Sequence, residues 1–125
     1  MDRKDAEQLI ASFNNCINAQ DLIGLSAFMT DDHVFIDKAD NRVVGKSACQ
    51  EAWRGFFVAF PDYRNIFEDI QVHGDTMVIA GRSTCSDPRL AGAALWSAKL
   101  RDGRISQWRV SEDTKDNRES FGLST

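Results

Sequence analysis

Asp31-Asp32-His33-Val34-Phe35-Ile36-Asp37 marks the change from one kind of chain to another. The stretch reads as a helix exit followed by a short apolar strand. β-Branched and aromatic residues at 34–36 favour that strand. It ends on Asp37, a residue type depleted in strands. An aspartate beside apolar neighbours must be solvated, paired or shifted in pKa. Any chemistry in this chain is therefore expected near Asp37.

On the N-terminal side the pattern is helical. Leu9, Ile10, Phe13, Cys16 and Ile17 recur at three- and four-residue steps, which predicts a helix over roughly Asp5 to Ala19. Asp21 reads as the N-cap of a second helix carrying Leu22, Leu25, Phe28 and Met29. After the Val34 strand, Asp40-Asn41 offers a turn and Arg42-Val43-Val44 a short returning partner. Ser47-Ala48-Cys49-Gln50 has the form of a capping box. It opens a third helix that buries Cys49, Trp53, Phe56, Phe57 and Phe60 and stops at Pro61.

From Tyr63 onward the period is that of strands. Ile66 to His73 and Thr76 to Cys85 flank a Gly74-Asp75 turn. Ser86 to Gly92 is a loop. Ala93 to Leu100 and Arg104 to Glu112 are joined by Asp102-Gly103, a strong hairpin signal. Helices followed by strands predict an α+β fold with an antiparallel sheet, one face of which carries the helices. The reading is of one domain over residues 1–125, with a polar tail from about 114 that packs weakly or is disordered.

Composition narrows the function classes. A chain of 125 residues, 42% hydrophobic and 27% charged, fits one globular domain that needs no disulfide or metal to hold it. A net charge of −4 and a pI of about 5.1 give no field attracting nucleic acid or anionic membrane. No apolar run approaches a membrane span, and Met1 to Asp5 leads into no signal-like segment. Cys16, Cys49 and Cys85 are odd in number and widely spaced, with no ligand spacing to a histidine. They read as reduced core thiols in a cytoplasmic protein without metal or cofactor.

Three pieces of sequence carry a family resemblance. The first is Asn18-Ala19-Gln20-Asp21-Leu22 running on to Met29-Thr30-Asp31-Asp32. The second is Val44-Gly45-Lys46 before the helix that ends Phe60-Pro61-Asp62. The third is Asp102-Gly103-Arg104-Ile105 with Trp108-Arg109-Val110 and Glu112-Asp113. In this order the chain resembles the nuclear-transport-factor-2-like superfamily, which has a cystatin-like fold, and most closely its SnoaL-like branch. The resemblance implies a cone, with three N-terminal helices packed on a strongly curved sheet around a mostly apolar pocket. It also implies a homodimer, for which Val72, Val78 and Ala80 would supply an outer apolar face.

The same resemblance assigns candidate site residues. In the register of ketosteroid isomerases the catalytic base falls on Asp37. The oxyanion-hole tyrosine falls on Phe13, and the protonated acid at or next to Trp96. Both donors are thus replaced. In polyketide cyclases resembling SnoaL the carboxylate lies late in the last long strand, where this chain has Glu112. Strand alternation puts Trp108, Val110 and Glu112 on one face. The family register turns that face inward, together with Ile79, Ser83 and Trp96. Phe13, Ile17, Trp53 and Phe57 would join the lining from the helices. His33 shares the strand parity of Asp37 but lies about 13 Å away along it.

Two functions follow from these residues. One is a cofactor-independent isomerase, cyclase or lyase, with Asp37 and Glu112 moving a proton on a small hydrophobic substrate. Burial would then raise the Asp37 pKa, and Glu112 would approach it across the pocket. The alternative is a non-catalytic ligand-binding or dimerisation module, with Asp37 capping the Lys38–Asn41 turn.

Overall fold

The computed structural model describes residues 2–123. Helices α1 (Arg3–Ala19) and α2 (Leu22–Ala27) come first, followed by strands β1 (Met29–Ile36) and β2 (Arg42–Val44). Helix α3 (Lys46–Ala59) precedes four strands: β3 (Arg64–His73), β4 (Thr76–Thr84), β5 (Gly92–Arg101) and β6 (Arg104–Glu112). A short α4 (Lys115–Ser120) closes the chain. The α+β architecture matches the sequence reading. Among the described residues no helix is long and apolar enough to cross a membrane.

Local signals explain most boundaries. Asp2 caps α1 by accepting from the Asp5 N–H, and Asp21 caps α2 by accepting from the Gly24 N–H. The expected second helix ends earlier than Met29, which instead begins β1. Helix α3 departs from the expected capping box. It starts at Lys46, with Gly45 at φ 99 as N-cap and no side chain capping it. Gly45 turns the chain sharply while its N–H bonds the His33 carbonyl, so Ser47 already lies inside the first turn.

The six strands form a curved, open sheet in the order β2-β1-β6-β5-β4-β3. It is mixed rather than antiparallel throughout, because β1 runs parallel to β6. A parallel neighbour needs a long crossover, and everything between the two strands serves as one. Their register shifts between Met29 and Val34, and His33 sits inside that irregularity. His33 is fully buried, and its Nδ1 lies 2.6 Å from the Ile105 carbonyl oxygen.

The helices cover the inner sheet face. Leu9, Ile10, Phe13 and Ile17 of α1 and Cys49, Trp53 and Phe57 of α3 form one core with Met77, Ile79, Trp96, Ile105 and Trp108. Each such large side chain contributes about 1.5–3 kcal/mol of hydrophobic stabilisation. A bulge at Glu68 reverses the parity of β3, since Phe67 pairs with Gly81 and Asp69 with Ala80. Ile70 and Val72 therefore face inward, and Val72 is not on the outer face as expected. Gly81 is fixed by this bulge: a Cβ there would meet the Ile66 carbonyl oxygen at 2.1 Å.

Within the tail, residues 114–123 fold back onto the sheet. Thr114 caps α4, and Arg118 makes a two-pronged pair with Asp113. Leu123 is then buried against Val78, Ala80 and Leu95, with Phe121 alongside. The outer face expected to meet a second subunit is thus covered, at Val78 and Ala80, by the chain's own C-terminal segment. Replacing Leu123 by Asp is expected to lower stability by about 2 kcal/mol, read as a lower urea midpoint with unchanged far-ultraviolet dichroism. An unshifted midpoint would show that the tail adds nothing to the fold.

Burial holds the His33 pKa below its ordinary 6.5, against the raising effects of the Ile105 carbonyl bond and the nearby Asp32 charge. The unfolded chain therefore binds a proton below about pH 6.5 that the folded chain refuses. This contribution to stability is fully present above that pH and declines as pH falls beneath it. Urea melts between pH 7 and pH 5 should show the decline, and His33→Gln should flatten it.

Candidate functional site

A cavity of about 300 Å³ lies between α3 and the inner sheet face. Phe35 of β1 and Trp53 and Phe56 of α3 form one wall. Trp96 of β5 with Trp108 and Val110 of β6 form the floor, and Leu90 of the β4–β5 loop closes a side. The aromatic rings brace one another. Trp53 lies 5.8 Å from Phe35 and 5.5 Å from Phe57, while Trp108 lies 5.0 Å from Phe13. The Trp53 indole N–H is buried and has no acceptor among the described residues. A more open depression of about 500 Å³ on the outer face is walled by charged side chains such as Glu68, Arg82 and Arg118. Its exposure suits it less to a small organic ligand.

One end of the cavity is polar. Tyr63, Asn65 and Ser83 all line it and all are largely buried. The Ser83 hydroxyl donates to Asn65 Oδ1 at 2.8 Å, and the Tyr63 and Ser83 oxygens are 3.1 Å apart. Helix α1 holds this group in place. Asn18 Nδ2 and Asn14 Nδ2 both donate to the Asn65 carbonyl oxygen, and the Asn65 N–H donates to Asn18 Oδ1. Burial pushes the Tyr63 phenol above its usual 10, so it is protonated at neutral pH.

Of the residues singled out in the sequence, Trp53, Ser83, Trp96, Trp108 and Asp37 come together around this cavity. Phe13, Ile17, Phe57 and Ile79 lie in the core packed behind it and are not part of its lining. Glu112 is exposed at the end of β6, with its carbonyl used by Thr114 and Asn117. It is not part of the lining, although its cross-strand partner Ala94 is. His33 is buried away from the lining, against β6. Sequence reasoning did not select Tyr63 or Asn65. The signal was an asparagine inside the strand run Tyr63-Arg64-Asn65-Ile66-Phe67, a residue type depleted there as aspartate is. Among the described residues no group of three His, Cys, Asp or Glu side chains could hold a metal.

Asp37 sits at the cavity mouth beside Lys38, with its carboxylate turned to its own turn. Oδ1 accepts from the N–H groups of Ala39 and Asn41, both at 2.9 Å, and Oδ2 from Asn41 Nδ2 at 3.2 Å. Desolvation pushes its pKa up, but these bonds outweigh it and hold the group below the ordinary 3.8. The expected raised pKa is thereby corrected: the turn supplies donors that an apolar wall would not. Asp37→Asn should cost about 1 kcal/mol at pH 7 rather than be neutral, since its amide would face the Asn41 amide. A depressed carboxylate stabilises above its unfolded pKa, and the effect fades as pH falls through the folded one. Urea melts of both proteins should differ at pH 7 and converge towards pH 3.

Comparison with known proteins places this arrangement. The model of the SnoaL-like domain family matches residues 10–108. An uncharacterised cystatin-fold protein of Novosphingobium aromaticivorans superposes with a TM-score of 0.73 at 18% identity, covering 82% of this chain and 94% of that one. An epoxide hydrolase of M. tuberculosis gives 0.76 at 19% identity, covering 88% and 84%. TerC, co-crystallised with polyporic acid, gives 0.76 at 16% identity, covering 92% and 96%. A comparison with curated proteins finds no match. At these identities the solved structures share the fold, and the family model spans most of the sequence. The chain belongs to the SnoaL-like domain family.

Proposed function

We propose that the cavity binds a small, largely apolar molecule and that the chain acts as a ligand-binding protein. One observation carries this reading. Among the described residues Asp37 is the one carboxylate on the lining, and it is tied to its own turn with a lowered pKa. A base of that kind is weak. The polar end of the cavity is instead made of neutral groups, which recognise without exchanging protons. The buried Trp53 N–H and the aromatic walls suit a ring-bearing molecule with a few polar atoms. That TerC was crystallised with polyporic acid supports an organic occupant for the corresponding space.

A second reading keeps proton transfer. Asp37 does line the mouth and is ionised at neutral pH, so a substrate there could meet it as a base. This reading needs Asp37→Asn to abolish a turnover that the wild-type protein shows.

Trp108→Ala is a poor probe of binding. Trp108 is 1% exposed and packs on Phe13 and Phe67, so its loss would cost about 3–5 kcal/mol. Val110 is half-buried on the cavity floor, and Val110→Phe fills the space without emptying the core. Two-ring aromatic ligands should change the tryptophan fluorescence and raise the melting temperature of the wild-type protein. Val110→Phe should lose both responses while melting close to wild type. If a broad panel of aromatic and terpenoid molecules moved neither signal in the wild-type protein, the binding reading would fail.

A further inference from the structure

The proton inventory of the polar end limits what the ligand can offer it. A serine hydroxyl has one proton, and that of Ser83 goes to Asn65 Oδ1 at 2.8 Å. Tyr63 and Ser83 stand 3.1 Å apart, close enough that one proton must lie between the two oxygens. Ser83 has none left, so Tyr63 donates. With its oxygen facing Ser83, the Asn65 side chain keeps both NH₂ protons on the other side of its amide. The three side chains thus direct their hydroxyl protons at one another. Lone pairs on the Tyr63 and Ser83 oxygens remain, with the amide protons of Asn65. Three bonds from α1 fix the Asn65 backbone from which this side chain reaches Ser83.

We propose that Tyr63, Ser83 and Asn65 select a ligand carrying a hydroxyl or N–H donor over one that can only accept. A hydroxyl gives its proton to the free lone pairs and accepts an amide proton of Asn65. An ether or carbonyl can use only the amide protons and leaves the buried Tyr63 oxygen without a donor. The class of ligand is therefore a small phenol or alcohol on an apolar ring body. The inference rests on the reading that the cavity binds a small apolar molecule.

Calorimetric titration of the full chain with 2-naphthol, 2-methoxynaphthalene and 2-naphthaldehyde tests it. The three share one body and differ at the donated proton, and the aldehyde controls for the bulk of the methyl group. Naphthol should bind about tenfold more tightly than either of the others. In Tyr63→Phe/Ser83→Ala the three should bind within about twofold of one another, and Ser83→Ala alone should narrow the gap if the double variant does not fold. Equal affinity of naphthol and either acceptor-only compound for the wild-type protein would overturn the proposal. So would a preference that survives the double substitution. If none of the three bound the wild-type protein, the cavity reading itself would fall, and the donor preference with it.

Discussion

Asn18 does for the edge of the sheet what another strand would do. The start of β3 has a neighbour on one side only, which would leave the Asn65 N–H and carbonyl buried and unpaired. Each such group would cost about 1–3 kcal/mol. The Asn18 amide accepts from one and donates to the other, as a backbone would, and Asn14 adds a second donor to the carbonyl. The interaction seats α1 on the sheet and, in the same stroke, aims the Asn65 side chain at Ser83. Helix docking and the polar end of the cavity are thus one arrangement.

Charge is kept to the rim of this molecule. The cavity walls are Phe, Trp, Val, Leu and Ala side chains, and the deep polar atoms belong to a phenol, a hydroxyl and an amide. An isolated buried carboxylate would have to be paired or neutralised. Asp37 meets that demand by turning to Ala39 and Asn41 at the mouth. The cavity therefore offers shape, aromatic surface and neutral hydrogen bonding. In this it differs from sites where two acids in one apolar space are driven to different pKa values.

Much of the fold was legible because it depends on local periodicity. The stripe of Leu9, Ile10, Phe13 and Ile17, the Asp21 cap and the Asp102-Gly103 hairpin all act over a few residues. What escaped depends on distant partners. The bulge at Glu68 is set by how Gly81 meets Ile66, and the β1–β6 pairing by residues more than half the chain apart. The tail looked polar because its two apolar side chains, Phe121 and Leu123, make no periodic pattern. At the site, strand parity brought Ser83, Trp96 and Trp108 to the cavity. Parity could not say that Glu112, on the same face, is left off the lining. Nor could it single out Asn65, whose role exists only because Asn14 and Asn18 reach it from another element.

The parallel pairing of β1 with β6 sets the order in which the chain can fold. Strands β3 to β6 follow one another as neighbours and pair through short connections. Strand β1 has only the three residues of β2 until β6 arrives, because Met29 pairs with Ile105. Contacts of such sequence separation form late, since their loop entropy is lost before any contact offsets it. During synthesis the apolar stripes of α1 and α3 emerge well before the sheet that covers them. A chain halted short of residue 104 presents Trp53, Phe56 and Phe57 uncovered, and is a substrate for chaperones and proteases rather than a shortened version of the same protein.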